Sequence, residues 1–215
     1  MVSRNRVPVI GRITTSSEAW ALARVEDNGD GLSQEQRLCG GLVRAGAVKS
    51  QLPPEYIASV PSKSYDVRLL EDGDQLMFEA DTGKFWSGHD PSCAHLPVDP
   101  DDPCVLDSDK DGRPGATVKV KAPLFKWVDV YVAQRTHLVL SGRVTSADRV
   151  EGLAEMWQMD THVLAATNRL FARNPKVWIV PEESRFTMVR VADGATCADF
   201  GPPKDHGFVS THEPE

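Results

Sequence analysis

Two stretches from opposite halves of this 215-residue chain read alike, and no other feature limits its fold as tightly. Val60-Pro61-Ser62-Lys63-Ser64-Tyr65-Asp66-Val67-Arg68-Leu69-Leu70-Glu71-Asp72-Gly73 lines up with Val180-Pro181-Glu182-Glu183-Ser184-Arg185-Phe186-Thr187-Met188-Val189-Arg190-Val191-Ala192-Asp193-Gly194, with one inserted residue. Upstream, Ala21-Leu22-Ala23-Arg24-Val25 falls opposite Leu140-Ser141-Gly142-Arg143-Val144 at nearly the same offset. Strand-rich halves share a few Val, Arg and Gly by composition alone, so kinship is one reading and coincidence the other. On the first, each half supplies roughly four strands: a hairpin, a longer connection after the third strand, then a return strand. Two such halves make an all-β fold, a closed or nearly closed antiparallel barrel of about eight strands, lipocalin-like in general architecture, with no open edge.

Local pattern agrees. Trp127 to Arg135 puts Val128, Val130 and Val132 on one face and Trp127, Asp129 and Tyr131 on the other, the period of a strand. Further strands are predicted over 7–15, 19–25, 36–43, 137–144, 150–159 and 185–191, with Ser146-Ala147-Asp148 a tight connection. Asp27-Asn28-Gly29-Asp30-Gly31 reads as a hairpin turn, because Asn and Gly tolerate positive φ. Only 162–172 and 53–58 have a helical case. The chain divides as one domain, 1–215: a first half over 1–75, an acidic connector over 76–123, a second half over 124–197 and a flexible tail over 198–215.

That connector carries the chemistry. Asp107-Ser108-Asp109-Lys110-Asp111-Gly112 sets carboxylates at alternate positions before a glycine, the opening of a calcium-binding loop. The expected ligands are Asp107, Asp109, Asp111 and the Arg113 carbonyl, with structural calcium as cofactor. The twelfth loop position is Val118 instead of Glu, and Pro103 and Cys104 interrupt any preceding helix, which excludes a helix-loop-helix sensor. Asp99, Asp101, Asp102 or water would complete the shell. The plainer reading is a solvated acidic turn.

Four cysteines suggest two disulfides: Cys93 and Cys104 bracket the acidic run, leaving Cys39 for Cys197, one of three possible connectivities. Zinc on His89, Cys93, His95 and Cys104 is the rival, though no CxxC or HxxxH unit is present. Free buried thiols are the third reading. Nucleotide, serine-hydrolase and zinc-protease signatures are absent. His137 and His162, with Ser141 or Asp160, could be assembled into a triad only on paper. Trp20, Trp86, Trp127, Trp157 and Trp178 are either core or the lining of a cavity for an apolar or sugar-like ligand.

The formal charge of -7 argues against nucleic-acid or anionic-membrane partners. No apolar run reaches the ~18–20 residues of a membrane-spanning helix. Met1 to Arg6 has no apolar core after its arginines, so a mature exported form without signal peptide or a cytosolic protein is expected. Cysteines and a calcium-type loop favour export.

Asp107 to Val118, Val130-Tyr131-Val132-Ala133-Gln134-Arg135 and Ser184 to Val191 with Cys197 together resemble a group of uncharacterised exported bacterial proteins, many of them predicted lipoproteins. The resemblance implies export to the periplasm, outer-membrane surface or medium and a metal-type loop; it implies no activity. The expected function is non-enzymatic: a calcium-binding envelope protein that takes a small ligand or a protein partner. A hydrolase or isomerase with its site inside the barrel, and a structural or adhesive surface component, are the alternatives.

Overall fold

The computed structural model describes residues 1–7, 11–174 and 176–201. Its elements run β1 (Val2–Val7), β2 (Gly11–Asp27), β3 (Leu32–Ala45), β4 (Val48–Gln51), α1 (Pro54–Ser59), β5 (Lys63–Asp72), β6 (Gln75–Ser87), β7 (Ala116–Lys121), β8 (Val128–Ser146), β9 (Arg149–Ala166), β10 (Lys176–Val180) and β11 (Arg185–Val189). All pairings are antiparallel. Two elements differ from the sequence expectation. The supposed connector contains most of β6 and all of β7, and the helical case at 162–172 gives way to the end of β9 and a single 3-10 turn. Of the predicted strand over 7–15, residues 8–10 lie outside the described residues, as do 202–215 of the tail.

Local chemistry accounts for the long hairpins. Between β2 and β3, Gly29 N–H donates to Asp27 Oδ1 at 2.8 Å, Asn28 N–H to the Gly31 carbonyl at 2.9 Å, and Gly29 adopts φ 82°. That left-handed turn matches the twist of the strands it joins. Val128, Val130 and Val132 of β8 are buried with Tyr56 and Ala116 in one core cluster; Val67, Phe78, Ala80 and Leu140 form a second. Each such aliphatic side chain stabilises by about 1.5–3 kcal/mol when fully buried. Tyr65 packs against the second cluster. Its hydroxyl accepts from Gln34 Nε2 at 2.6 Å and donates to Gln36 Oε1.

Edge occupancy sets the topology. β2 pairs with β3 from Leu32 to Arg44, so β4 and β5 must share the remaining edge of β3. β9 likewise covers one edge of β8, leaving β6 and β7 to share the other. The sequence predicts about eight strands in a ring; the hydrogen-bonded ring has six, β3–β4–β7–β8–β6–β5. Periodicity tells which residues face inward but not that one long strand will hold two short ones end to end, hence the different count. Outside this ring, β2, β1 and β10 extend from β3, and β9 and β11 from β8. β10 and β11 thus stand at opposite ends of the sheet order, yet only Pro181–Ser184 separates them, a link of at most ~18 Å. The sheet therefore rolls until its two ends approach.

One pairing scheme occurs twice. β5 pairs with the first residues of β3, Leu32 to Gln36, and β11 with the first residues of β9, Arg149 to Leu153. β7 bridges β4 and β8 as β1 bridges β10 and β2. Among the described residues, β6 has no counterpart beside β2.

Candidate metal centre

The acidic loop is rooted near the start of β8. β6 ends with Ser87 opposite Gln134, and β7 begins with Ala116 opposite Val132, so the two meet end to end along one edge. The chain leaves at Gly88 and returns at Gly115. Both have positive φ, 74° and 88°, and a Cβ on either would lie 2.0 or 2.6 Å from the Val132 carbonyl oxygen. Only glycine fits so close an approach.

Polar contacts fasten the excursion between these two points. Gly88 N–H donates to Ser108 Oγ at 2.8 Å, Ser108 N–H to the Gly115 carbonyl at 2.9 Å and Leu106 N–H to the Gly88 carbonyl at 3.2 Å. Farther out, Asp90 N–H donates to the Cys104 carbonyl at 2.9 Å, and Cys93 is bonded to Cys104, with Cα atoms 6.1 Å apart. Leu96, with Val105 packed alongside, covers Ala133 and Leu164 on the sheet.

Asp107, Asp109 and Asp111 are brought together, with one carboxylate oxygen of each within 4.8 Å of the others. Asp107 is an anchor for the turn: its oxygens accept from Asp111 N–H at 3.1 Å and Gly112 N–H at 2.9 Å. Asp111 accepts from Arg113 N–H and Thr117 Oγ1, each at 2.8 Å. Asp109 is the buried member, 8 % exposed. Its Oδ2 accepts from Thr117 N–H at 2.8 Å, while its Oδ1 is buried and has no partner among the described residues. Burial, with the neighbouring Asp111 charge, pushes the Asp109 carboxyl above the usual carboxylate range. A buried, half-satisfied carboxylate facing two more is costly unless a cation is shared among them.

Thr117 is the residue sequence reasoning missed. It holds both Asp109 and Asp111 from the start of β7, and its spacing from the loop carried no signal of that role. Arg113 follows next along the loop, its N–H directed to Asp111 Oδ1. The candidate remote acids serve local turns: Asp99 Oδ1 accepts from Asp101 N–H at 3.0 Å, and Asp102 Oδ1 from Cys104 N–H at 2.8 Å.

The zinc set is not assembled. Cys93 and Cys104 are joined to each other and offer no thiolate, although His95, Asp102 and Cys104 lie close together. His95 Nε2 instead meets Asp102 Oδ2 at 2.9 Å. Cys39 and Cys197 are bonded, with Cα atoms 5.1 Å apart, tying the chain beyond β11 to β3.

Nor do the paper triad's members converge. His137 Nε2 meets Asp81 Oδ1 at 2.6 Å, His162 Nδ1 meets the Pro97 carbonyl at 3.1 Å, and Asp160 receives Arg135 at 3.0 Å. Trp127, Trp157 and Trp178 are exposed, so neither core nor cavity describes them. Comparison with protein-family models, curated proteins and solved structures finds no match to this chain.

Proposed function

We propose that the protein is an exported, non-enzymatic β protein whose acidic loop binds calcium as a structural brace. One observation carries this reading: Asp109 Oδ1 is buried among three converging carboxylates and has no partner among the described residues. All-oxygen donors suit a hard cation, and calcium's tolerance of irregular geometry suits a loop whose other ligands would be the Arg113 carbonyl and water. The ion would fasten the 88–115 excursion to β8.

Two disulfide-bonded cysteine pairs support an oxidising compartment, where millimolar calcium would also fill such a site. The likeness to exported lipoproteins points the same way. The recurring pairing scheme supports a nearly closed barrel of eight rows, with β4 and β5, β7 and β6, and β10 and β11 each sharing a row. On this reading the fold serves at the cell envelope, holding a small ligand or a protein partner.

Calorimetry tests the claim. Calcium at a hundredfold excess over its dissociation constant should stabilise by about 2.7 kcal/mol, and chelator should reverse the gain. A melting transition that ignores both additions refutes the brace.

A further inference from the structure

In one half of the sheet, β8 has both edges covered: β9 lies on one, and β7 and β6 share the other. β2 is the corresponding strand of the other half. β3 lies on one edge, but β1 covers only Gly11 to Ser16 of the other. Beyond the Ser17 N–H bond to the Met1 carbonyl, no described residue pairs with the outer backbone of residues 18–27. Among the described residues, none takes beside β2 the place that β6 takes beside β8.

The sequence there does not protect an edge. Ala19-Trp20-Ala21-Leu22-Ala23 is uncharged, whereas solitary edge strands are blunted by Lys, Pro or bulges. The β2–β3 bulge places its extra residue on β3, so β2 itself stays regular. Glu18, Trp20, Leu22 and Arg24 therefore share one face, and Ala19, Ala21 and Ala23 the other. We propose that this edge pairs antiparallel with the same edge of a second copy, about a twofold axis at Ala21. In that register Glu18 of each copy faces Arg24 of the other, Trp20 faces Leu22, and Ala19 faces Ala23. A twofold interface repeats every contact, so the opposite charges meet twice. Among the described residues the Arg24 guanidinium meets exposed Glu26 at 2.9 Å and Glu18 meets Arg44 at 3.3 Å, partly exposed pairs that hold weakly enough to exchange partners.

Native mass spectrometry and sedimentation of the full chain read the assembly; hydrogen exchange reads the edge. The expected result is a dimer in which the outward amides of Ala19, Ala21 and Ala23 exchange slowly and become fast on dilution to monomer. Glu18→Arg or Arg24→Glu alone should weaken association about tenfold, as like charges now meet twice, and the double variant should recover it. Circular dichroism of each variant, unchanged from the parent, separates lost association from lost folding. A monomer at all concentrations overturns the proposal. If its edge amides are nonetheless protected, the chain's own 202–215 segment is the occupant; if they exchange freely, the edge stands open. A dimer indifferent to both single reversals also overturns it, since its interface then lies elsewhere.

Discussion

β6 and the chain after β11 follow equivalent return strands, yet among the described residues only the first becomes a strand. β5 turns through Gly73, φ 60°, into β6, which pairs on both sides and reaches β8. β11 is followed by Gly194, φ 83°, a similar reversal, but the chain beyond forms a 3-10 turn at Cys197–Asp199 and is held by the bond to Cys39. Ladder hydrogen bonds fix the first return and a covalent link fixes the second. The difference teaches that one local pattern can be completed by two kinds of restraint, and that each should fail under different conditions.

The largest effect should come from breaking the covalent restraint. Cys39→Ala with Cys197→Ala opens a loop with sequence separation 158. In the chain-entropy model this costs about 5 kcal/mol, against about 3 kcal/mol for Cys93→Ala with Cys104→Ala. Denaturant melts of both variants check the order, and an equal loss from the two would remove the contrast.

Next comes the ladder-held side. Gly88→Ala drives a Cβ against the Val132 carbonyl at positive φ and should cost about 2–5 kcal/mol. Gly194→Ala, φ 83° with open space around it, should cost only about 1 kcal/mol. Comparable losses at the two turns would show that φ alone, and not the approach to β8, makes glycine necessary at residue 88.

A smaller effect sharpens the role of the loop between β6 and β7. Asp109→Asn should abolish the calcium response of about 2.7 kcal/mol. It should leave the calcium-free protein no less stable, because a neutral amide removes a buried charge. Thermal scans with and without chelator decide this.

The smallest signal is a titration within the β3–β5 pairing. Burial pushes the Tyr65 hydroxyl up to about 12. Above pH 10 the unfolded chain loses that proton while the folded one keeps it, so stability falls as pH rises from about 10 to 12. Burial raises Tyr56 and Tyr131 as well, so phenolate absorbance should rise late as a whole, and Tyr65→Phe should remove one tyrosine's share of it and lessen the alkaline fall in stability.

Much of this was legible in the chain, for identifiable reasons. The turn at Asp27–Gly31 showed because Asn and Gly favour positive φ. The inward Val128, Val130 and Val132 showed because strand period is local. The convergence of the three aspartates showed because carboxylates at alternate positions before a glycine turn toward one another in a tight loop. β6 was read as connector because its register breaks between Asp81 and Lys84, where Thr82 and Gly83 interrupt the alternation. Edge sharing on β3 and β8 leaves no periodic trace. Trp157 is an extra residue at a bulge in the β8–β9 ladder, and its side chain is exposed.

Because the chain departs and returns at two glycines leaning on a single peptide, the strand register on either side is set independently of the segment between them, which adds cover for Ala133 and Leu164 through Leu96 and Val105. Residues 89–114 are in effect a cartridge seated in a fixed socket. A shorter link between the same glycines should leave the scaffold standing while taking away its ion-holding attachment.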